Sequence, residues 1–357
     1  SMQRVHRAFI GTVLFVAALG LSAEAYGQCA SCGNPAFVGG DRDISQAMSS
    51  DDNHVWRTHA ALVYGLGGFG GYYQNDEALT NLDELKLRMH VVSLVAGGQA
   101  PFGTGLKVSL PWARLESERR FYGESNDQGM GDLDLRLSQD AVSLLDIHTP
   151  WLTRAALTVG VVMPTGVYVE RENSVANKEP EVSTDPDCQT CGDFCPDHCA
   201  PKAKETTDGI ASIGSSRYLS IGRGSWWLLL DAEMAGSLHE RVGWYLGATL
   251  RTALSDAPDG FAWGGEQRVG VGLSGVLWPK VLTAQVLAEY ERREMSHDGG
   301  ILFDNGGGHF ANVSPTLQAS VTDNVNVSLT WRQPIYRNVI GIQAVEGPSI
   351  WLSVGGR

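Results

Sequence analysis

After residue 25 the sequence offers no unbroken apolar run of the ~18 residues that a membrane-crossing helix requires, which excludes a helical membrane protein. Basic residues are scarce: 27 Lys and Arg stand against 40 Asp and Glu, a formal net charge of −13. A phosphate-backbone partner needs a positive face, so nucleic acid is excluded as a ligand. Disorder is excluded too, because 43% of the residues are hydrophobic and can pay for the ordering of a chain. Glycine runs the other way. Its 43 copies are well above ordinary usage, but they show no G-x-y period and so no collagen.

The first 25 residues read as a secretory signal. Arg4 and Arg7 make a basic start, Ala8 to Leu21 an apolar stretch, and Ala23-Glu24-Ala25 an A-x-A cleavage site. The expected organisation is a signal peptide at 1–25, a periplasmic N-terminal segment at 26–54 and one domain at 55–357, exported by a bacterium.

From residue 55 the dominant pattern has period two, the mark of strands with unlike faces. Leu85-Lys86-Leu87-Arg88-Met89-His90-Val91 alternates apolar with cationic or His side chains, and 132–138, 268–274 and 325–332 alternate similarly. Strands are predicted at 55–66, 83–97, 104–115, 131–141, 151–166, 224–236, 242–253, 265–277, 280–292, 309–321, 325–336 and 347–356. The apolar run 209–222 would make a thirteenth and break the alternation of short and long connections, so it is assigned to the long loop before the sixth strand. The strands are long enough to span a hydrocarbon slab when tilted. Aromatics gather near their ends (Trp56, Trp112, Trp151, Trp226, Trp244, Trp278, Tyr290, Trp331, Tyr336), as interfacial girdles do. Lipid cannot satisfy an open sheet edge. The predicted fold is therefore all-β: a transmembrane antiparallel up-and-down barrel of about twelve strands in the bacterial outer membrane, with short periplasmic turns and long outer loops.

Gly129-Met130-Gly131-Asp132-Leu133-Asp134-Leu135 resembles the GxGD strand of the outer-membrane proteins grouped as the phenol-degradation meta-pathway, transporter-like family. Met163-Pro164-Thr165-Gly166 is similar to that family's "lPTG" ending, and 314–337 to its last hairpin. The resemblance implies a barrel of about twelve strands that moves small or hydrophobic compounds and has no catalytic residues.

With the apolar stripe facing lipid, the lumen set comprises Lys86, Arg88, His90, Lys107, Asp132, Asp134, Arg136, Arg251, Arg268 and Arg332, joined by Asp231, Glu233 and Glu289. Opposite charges would pair across the interior, either as a constriction selecting solutes by charge and size or as a packed polar plug. A second candidate is the acidic insertion 170–208, holding Cys188, Cys191, Cys195, Cys199 and His198. Its thiols suit two disulfides, or one zinc or copper ion. Cys29 and Cys32 form a CxxC pair just after the signal, open to the same two readings. The stretch from Ser296 to His309 reads as an outer loop matching no metal template. No Ser, His and acid arrangement supports catalysis: Ser237 and His239 lack an orienting third group. The expected role is passive transport or binding of a small solute, with outer-membrane lipid as surroundings. A metal-handling barrel and a filled structural or adhesion barrel are the alternatives, and no resident cofactor is expected.

Overall fold

The computed structural model describes residues 57–81, 84–119, 123–147, 149, 151–168, 221–302 and 306–356. The elements are β1 (Arg57–Asn75), β2 (Glu77–Leu79), β3 (Lys86–Gln99), β4 (Thr104–Arg119), β5 (Gly123–Met130), β6 (Leu133–Asp140), a single helical turn α1 (Ala141–Leu144), β7 (Arg154–Met163), β8 (Trp227–His239), β9 (Val242–Ala253), β10 (Phe261–Ala262), β11 (Glu266–Trp278), β12 (Leu282–Arg293), β13 (His297–Asp298), β14 (Ile301–Leu302), β15 (Gly308–Ser320), β16 (Val325–Glu346) and β17 (Ser349–Gly356). Each barrel strand pairs antiparallel with its neighbour, and β17 closes the sheet on β1 from Ala60↔Gly356 to Leu66↔Ile350.

The result is a closed barrel of twelve strands. β5 and β6 count as one strand, since both pair with β4 on either side of a break at Gly131 and Asp132. β2 is an added short strand on β1. β16 climbs beside β15, turns over near Gly341 (φ 71°) and descends against β1 from Gln74↔Ile342 to Phe69↔Glu346. Segment 209–222 lies outside the described residues except for 221 and 222, and the barrel closes without it.

Most strand bounds follow the predicted ones, with large differences at three ends: the strand predicted at 131–141 already begins at Gly123, the one predicted at 325–336 runs on through its turn to Glu346, and β1 is longer. β1 runs on to Asn75, through a glycine-rich stretch that the alternation did not mark. Those glycines make room inside the barrel: a Cβ on Gly65 would sit 2.1 Å from the Trp351 ring, which lies flat against the backbone there. Connections at the end holding both strand termini are short (100–103, 240–241, 279–281, 321–324), apart from the α1-containing 141–153. At the other end 164–226, 254–265 and 294–307 are long, the usual arrangement of periplasmic turns and outer loops. The stretch Ser296 to His309, expected as a plain loop, contains β13 and β14, which extend β10 into a small three-stranded sheet.

The outside of the cylinder is apolar. On β11, Val269, Val271, Leu273 and Leu277 are each about half exposed, and on other strands round the barrel so are Leu94, Leu106, Leu137, Val159, Leu246, Leu250 and Val286. From Val269 to Leu277 there are eight steps of about 3.4 Å; tilted by about 40° they rise roughly 21 Å, close to the height of a lipid-facing band. Exposed Trp151 and Trp278 lie toward the short-turn end and Trp226, Tyr290 and Tyr336 toward the other, while Trp56 falls outside the described residues.

Candidate functional site

The orientation of β3 corrects the expectation for three residues. Lys86, Arg88 and His90 point out of the barrel, while Leu87, Met89 and Val91 point in and are buried. One parity holds along the whole strand: Leu94, on the same face as Lys86, is 56% exposed. What changes is the medium. Outward Val92, Leu94 and Ala96 meet lipid, whereas outward Lys86, Arg88 and His90 stand beyond it, on a wall taller than the membrane. Trp112, paired with Val92, marks the boundary. Burying Leu85, Leu87, Met89 and Val91 gains about 1.5–3 kcal/mol each, which fixes the register where the outside is water. The sequence does carry a trace of the switch. Val91 and Val92 are adjacent apolar residues, a one-residue slip in the alternation where the strand leaves the bilayer. Outside, Lys86 pairs with Glu118 at 3.2 Å, Arg114 with Glu116 at 2.9 Å, and the Tyr64 hydroxyl lies 2.9 Å from His90 Nδ1.

The interior has two unlike sides. Along β17, β1, β3 and β4 the inward side chains include Trp351, Val63, Leu87, Met89, Val91, Val95, Ala113 and Leu115, one buried apolar cluster, with Ser93, Ser109 and Ser117 buried among them. From β6 round to β16 the inward face carries the paired charges, interleaved with buried apolar Trp227, Leu229, Tyr245 and Leu287. Toward the short-turn end, Arg136 binds Asp134 at 2.7 Å and reaches Asp231 at 3.4 Å, and Arg154 binds Glu233 at 2.5 Å. Lys107 stands beside Arg136 in the β4–β6 register. Toward the outer end, Glu291 takes Arg268 at 2.9 Å and Arg293 at 2.6 Å, with Arg332 at 3.9 Å. Glu346 takes Arg293 at 3.0 Å and Arg332 at 3.4 Å. Glu289 lies 4.0 Å from Arg268. On β12, β15 and β16 the lining near the short turns is neutral, with hydrogen bonds Gln285–Gln318 (3.1 Å), Thr316–Thr330 (2.8 Å) and Ser320–Asn326 (2.8 Å). Burying such pairs costs desolvation that their attraction roughly offsets, so their contribution is geometry: each guanidinium is held in one place.

Asp132 does not line the lumen with its carboxylate. It is buried in the wall break between β5 and β6, where Oδ1 accepts the Gly166 N–H (3.0 Å) and Oδ2 the Arg223 N–H (2.8 Å). It thus clips together both roots of the long connection 164–226. Thr165 adds to the clip, its hydroxyl accepting from Leu133 N–H and donating to the Gly131 carbonyl. The two motifs 129–132 and 163–166, some thirty residues apart in sequence, form a single structural unit. From that root the Arg223 side chain enters the mouth and binds Glu266 at 2.6 Å, which also holds Arg251 at 2.9 Å.

The predicted residues Lys107, Asp134, Arg136, Arg251, Arg268 and Arg332 therefore face the interior among these ion-pair groups. Arg223, Glu266, Glu291, Arg293 and Glu346 complete those groups and were not picked out from sequence. Arg223 lies in a run read as loop, and the others sit at strand ends where the alternation fades. Cys29, Cys32, Cys188, Cys191, Cys195, Cys199 and His198 lie outside the described residues. Among the described residues no group of three or more His, Cys, Asp or Glu is arranged to hold a metal ion.

No protein-family profile and no curated protein sequence matches the chain. Solved structures do. The COG4313 outer membrane channel from Pseudomonas putida F1 superposes with a TM-score of 0.59 at 13% identity, covering 84% of this chain and 94% of that one. This chain is an outer-membrane β-barrel. Lower similarity is found to the CymD monoaromatic hydrocarbon channel (TM-score 0.38, 10% identity, 93% and 97% covered) and to the NanC porin (0.42, 6%, 83% and 99%).

Proposed function

We propose that this barrel passes a small solute across the outer membrane, and that it belongs with the transporter-like barrels its motifs resemble. The observation that carries the reading is the two-sided interior, an apolar strip facing a ring of fixed ion pairs. A solute with one apolar and one polar side is accommodated between them, and the paired charges set which ions accompany it. The superposition on an outer membrane channel supports the same reading. So does the joining of motifs 129–132 and 163–166 into one clip, because it gives the resemblance a structural content.

The test is conductance of the purified barrel in planar bilayers with a salt gradient. Arg136→Gln is expected to shift the reversal potential, because Arg136 faces the interior. Arg88→Gln is expected to leave it unchanged, because Arg88 stands outside the wall. Equal behaviour of the two variants would refute the assignment of the lumen. A second reading, a filled barrel serving structure or adhesion, draws on the burial of nearly every inward charge. It predicts silence in the same bilayer.

A further inference from the structure

We propose that Tyr290, Arg292 and His309 form an outward-facing site for a phosphate of lipid A, the anionic glycolipid that builds the outer leaflet of the bacterial outer membrane. The site lies on the outside of the wall and is independent of what passes through the lumen.

Arg292 sits on β12 between two residues that are tied inward. Glu291 holds Arg268 and Arg293, and Arg293 also binds Glu346. Arg292 is exposed on the opposite face and has no ion-pair or hydrogen-bond partner among the described residues. Val286, Ala288 and Tyr290 precede it on that face, so the strand passes from lipid-facing side chains through a girdle tyrosine to an unpaired cation. The long connection 294–307 follows at once. The site is therefore at headgroup level in the outer leaflet, whereas the phospholipid leaflet surrounds the short-turn end.

Register sets the geometry. β12 and β15 pair without a break from Leu282↔Ala319 to Arg293↔Gly308, which puts His309 directly opposite Arg292, the two side chains rooted about 5 Å apart. The His309 ring stacks on Tyr290 with centroids 6.0 Å apart and planes at 27°, and its Nδ1 lies 2.6 Å from the Tyr290 hydroxyl. In the tautomer that accepts the hydroxyl hydrogen at Nδ1, Nε2 carries the ring hydrogen and is a second donor beside the guanidinium. The flanking positions in register are neutral: Gln267 on β11, Leu250 beyond it on β9, and Asn338 on β16. Glu294, two residues further out, leans toward β11, where a Cβ on Gly265 would lie 3.0 Å from its Oε2. A planar fork that matches phosphate, a neighbouring N–H and a tyrosine at headgroup level together fit a lipid phosphate. A second outward Tyr–His contact, Tyr64 with His90 Nδ1 at 2.9 Å, lacks this setting, because Glu116 and Glu118 stand on the adjoining strand and would repel a phosphate.

The experiment titrates the full-length barrel in detergent with lipid A and counts bound lipid by native mass spectrometry. Arg292→Gln is expected to weaken binding about fivefold, the share of one basic residue at an anionic surface. His309→Gln should weaken it by a smaller factor. Arg292→Lys should recover only part of the loss, since an ammonium replaces the fork. Arg241→Gln removes an exposed cation at the short-turn end and should leave the affinity unchanged. Phosphorus NMR supplies a second readout: a lipid A phosphate resonance should shift on binding to the wild type and stay in place with Arg292→Gln. Heat-dependent gel migration of each variant separates a lost contact from a lost fold. Unchanged affinity in both Arg292→Gln and His309→Gln overturns the proposal, as does equal weakening by Arg241→Gln. It also falls if phosphatidylglycerol binds as tightly as lipid A with the same loss in Arg292→Gln, or if inorganic phosphate displaces the lipid, since the site would then accept any phosphate.

Discussion

Glu291 is the most connected carboxylate of the interior, and replacing it by Gln tests the ion-pair ring directly. The side chain is 2% exposed and is shared by Arg268 at 2.9 Å, Arg293 at 2.6 Å and Arg332 at 3.9 Å. Gln keeps the shape but turns an amide N–H₂ toward a guanidinium and removes the charge that compensates three cations. A unit pair at 4 Å is worth about 4 kcal/mol at an effective dielectric near 20. Removing one partner of a buried pair costs about 3–5 kcal/mol in practice. Glu346 still pairs with Arg293 and Arg332, so the expected loss lies at the lower end, about 3 kcal/mol. Reversible urea unfolding in lipid vesicles, followed by tryptophan emission, measures it. Adding Arg268→Gln to the variant should restore about 1 kcal/mol or more, because it removes the cation left most exposed to the loss. A destabilisation under about 1 kcal/mol, with no recovery in the double variant, would mean that the ring is water-filled and loosely held, and the reasoning from burial would be wrong.

Three more expectations follow from named contacts. Leu273→Arg on the lipid face should cost about 2–4 kcal/mol near the bilayer midplane, while Arg88→Leu on the wall beyond the lipid should change stability little; the same urea assay compares them. Gly65→Val should destabilise by about 1–3 kcal/mol, since its side chain would overlap the Trp351 ring, and adding Trp351→Leu should return part of the loss. Cys188, Cys191, Cys195 and Cys199 are proposed to be oxidised in pairs, so thiol alkylation before reduction should label none of them. Recovery of zinc or copper that disappears in a Cys188→Ser and Cys191→Ser double variant would establish the metal-binding alternative instead.

Much of the architecture was legible in the alternation alone. Twelve strands, their bounds within a few residues at most ends, and the rhythm of short and long connections all follow from period-two hydropathy and turn residues. Each of these is a local property, repeated strand after strand. The same rule misplaced Lys86, Arg88 and His90, because it equates the apolar face with lipid, and that equation fails where a strand outgrows the bilayer and its outside turns to water. Arg223 was illegible for a different reason. It belongs to no alternating strand, and only the crossing of residues 166 and 222 over Asp132 carries it into the mouth. Sequence by itself determined which segments are strands and that their wall must close, since backbone groups in lipid have no other partner. Which charges meet, and on which side of the wall, was decided by the tertiary structure, because pairing across a lumen depends on the register of strands far apart in the chain.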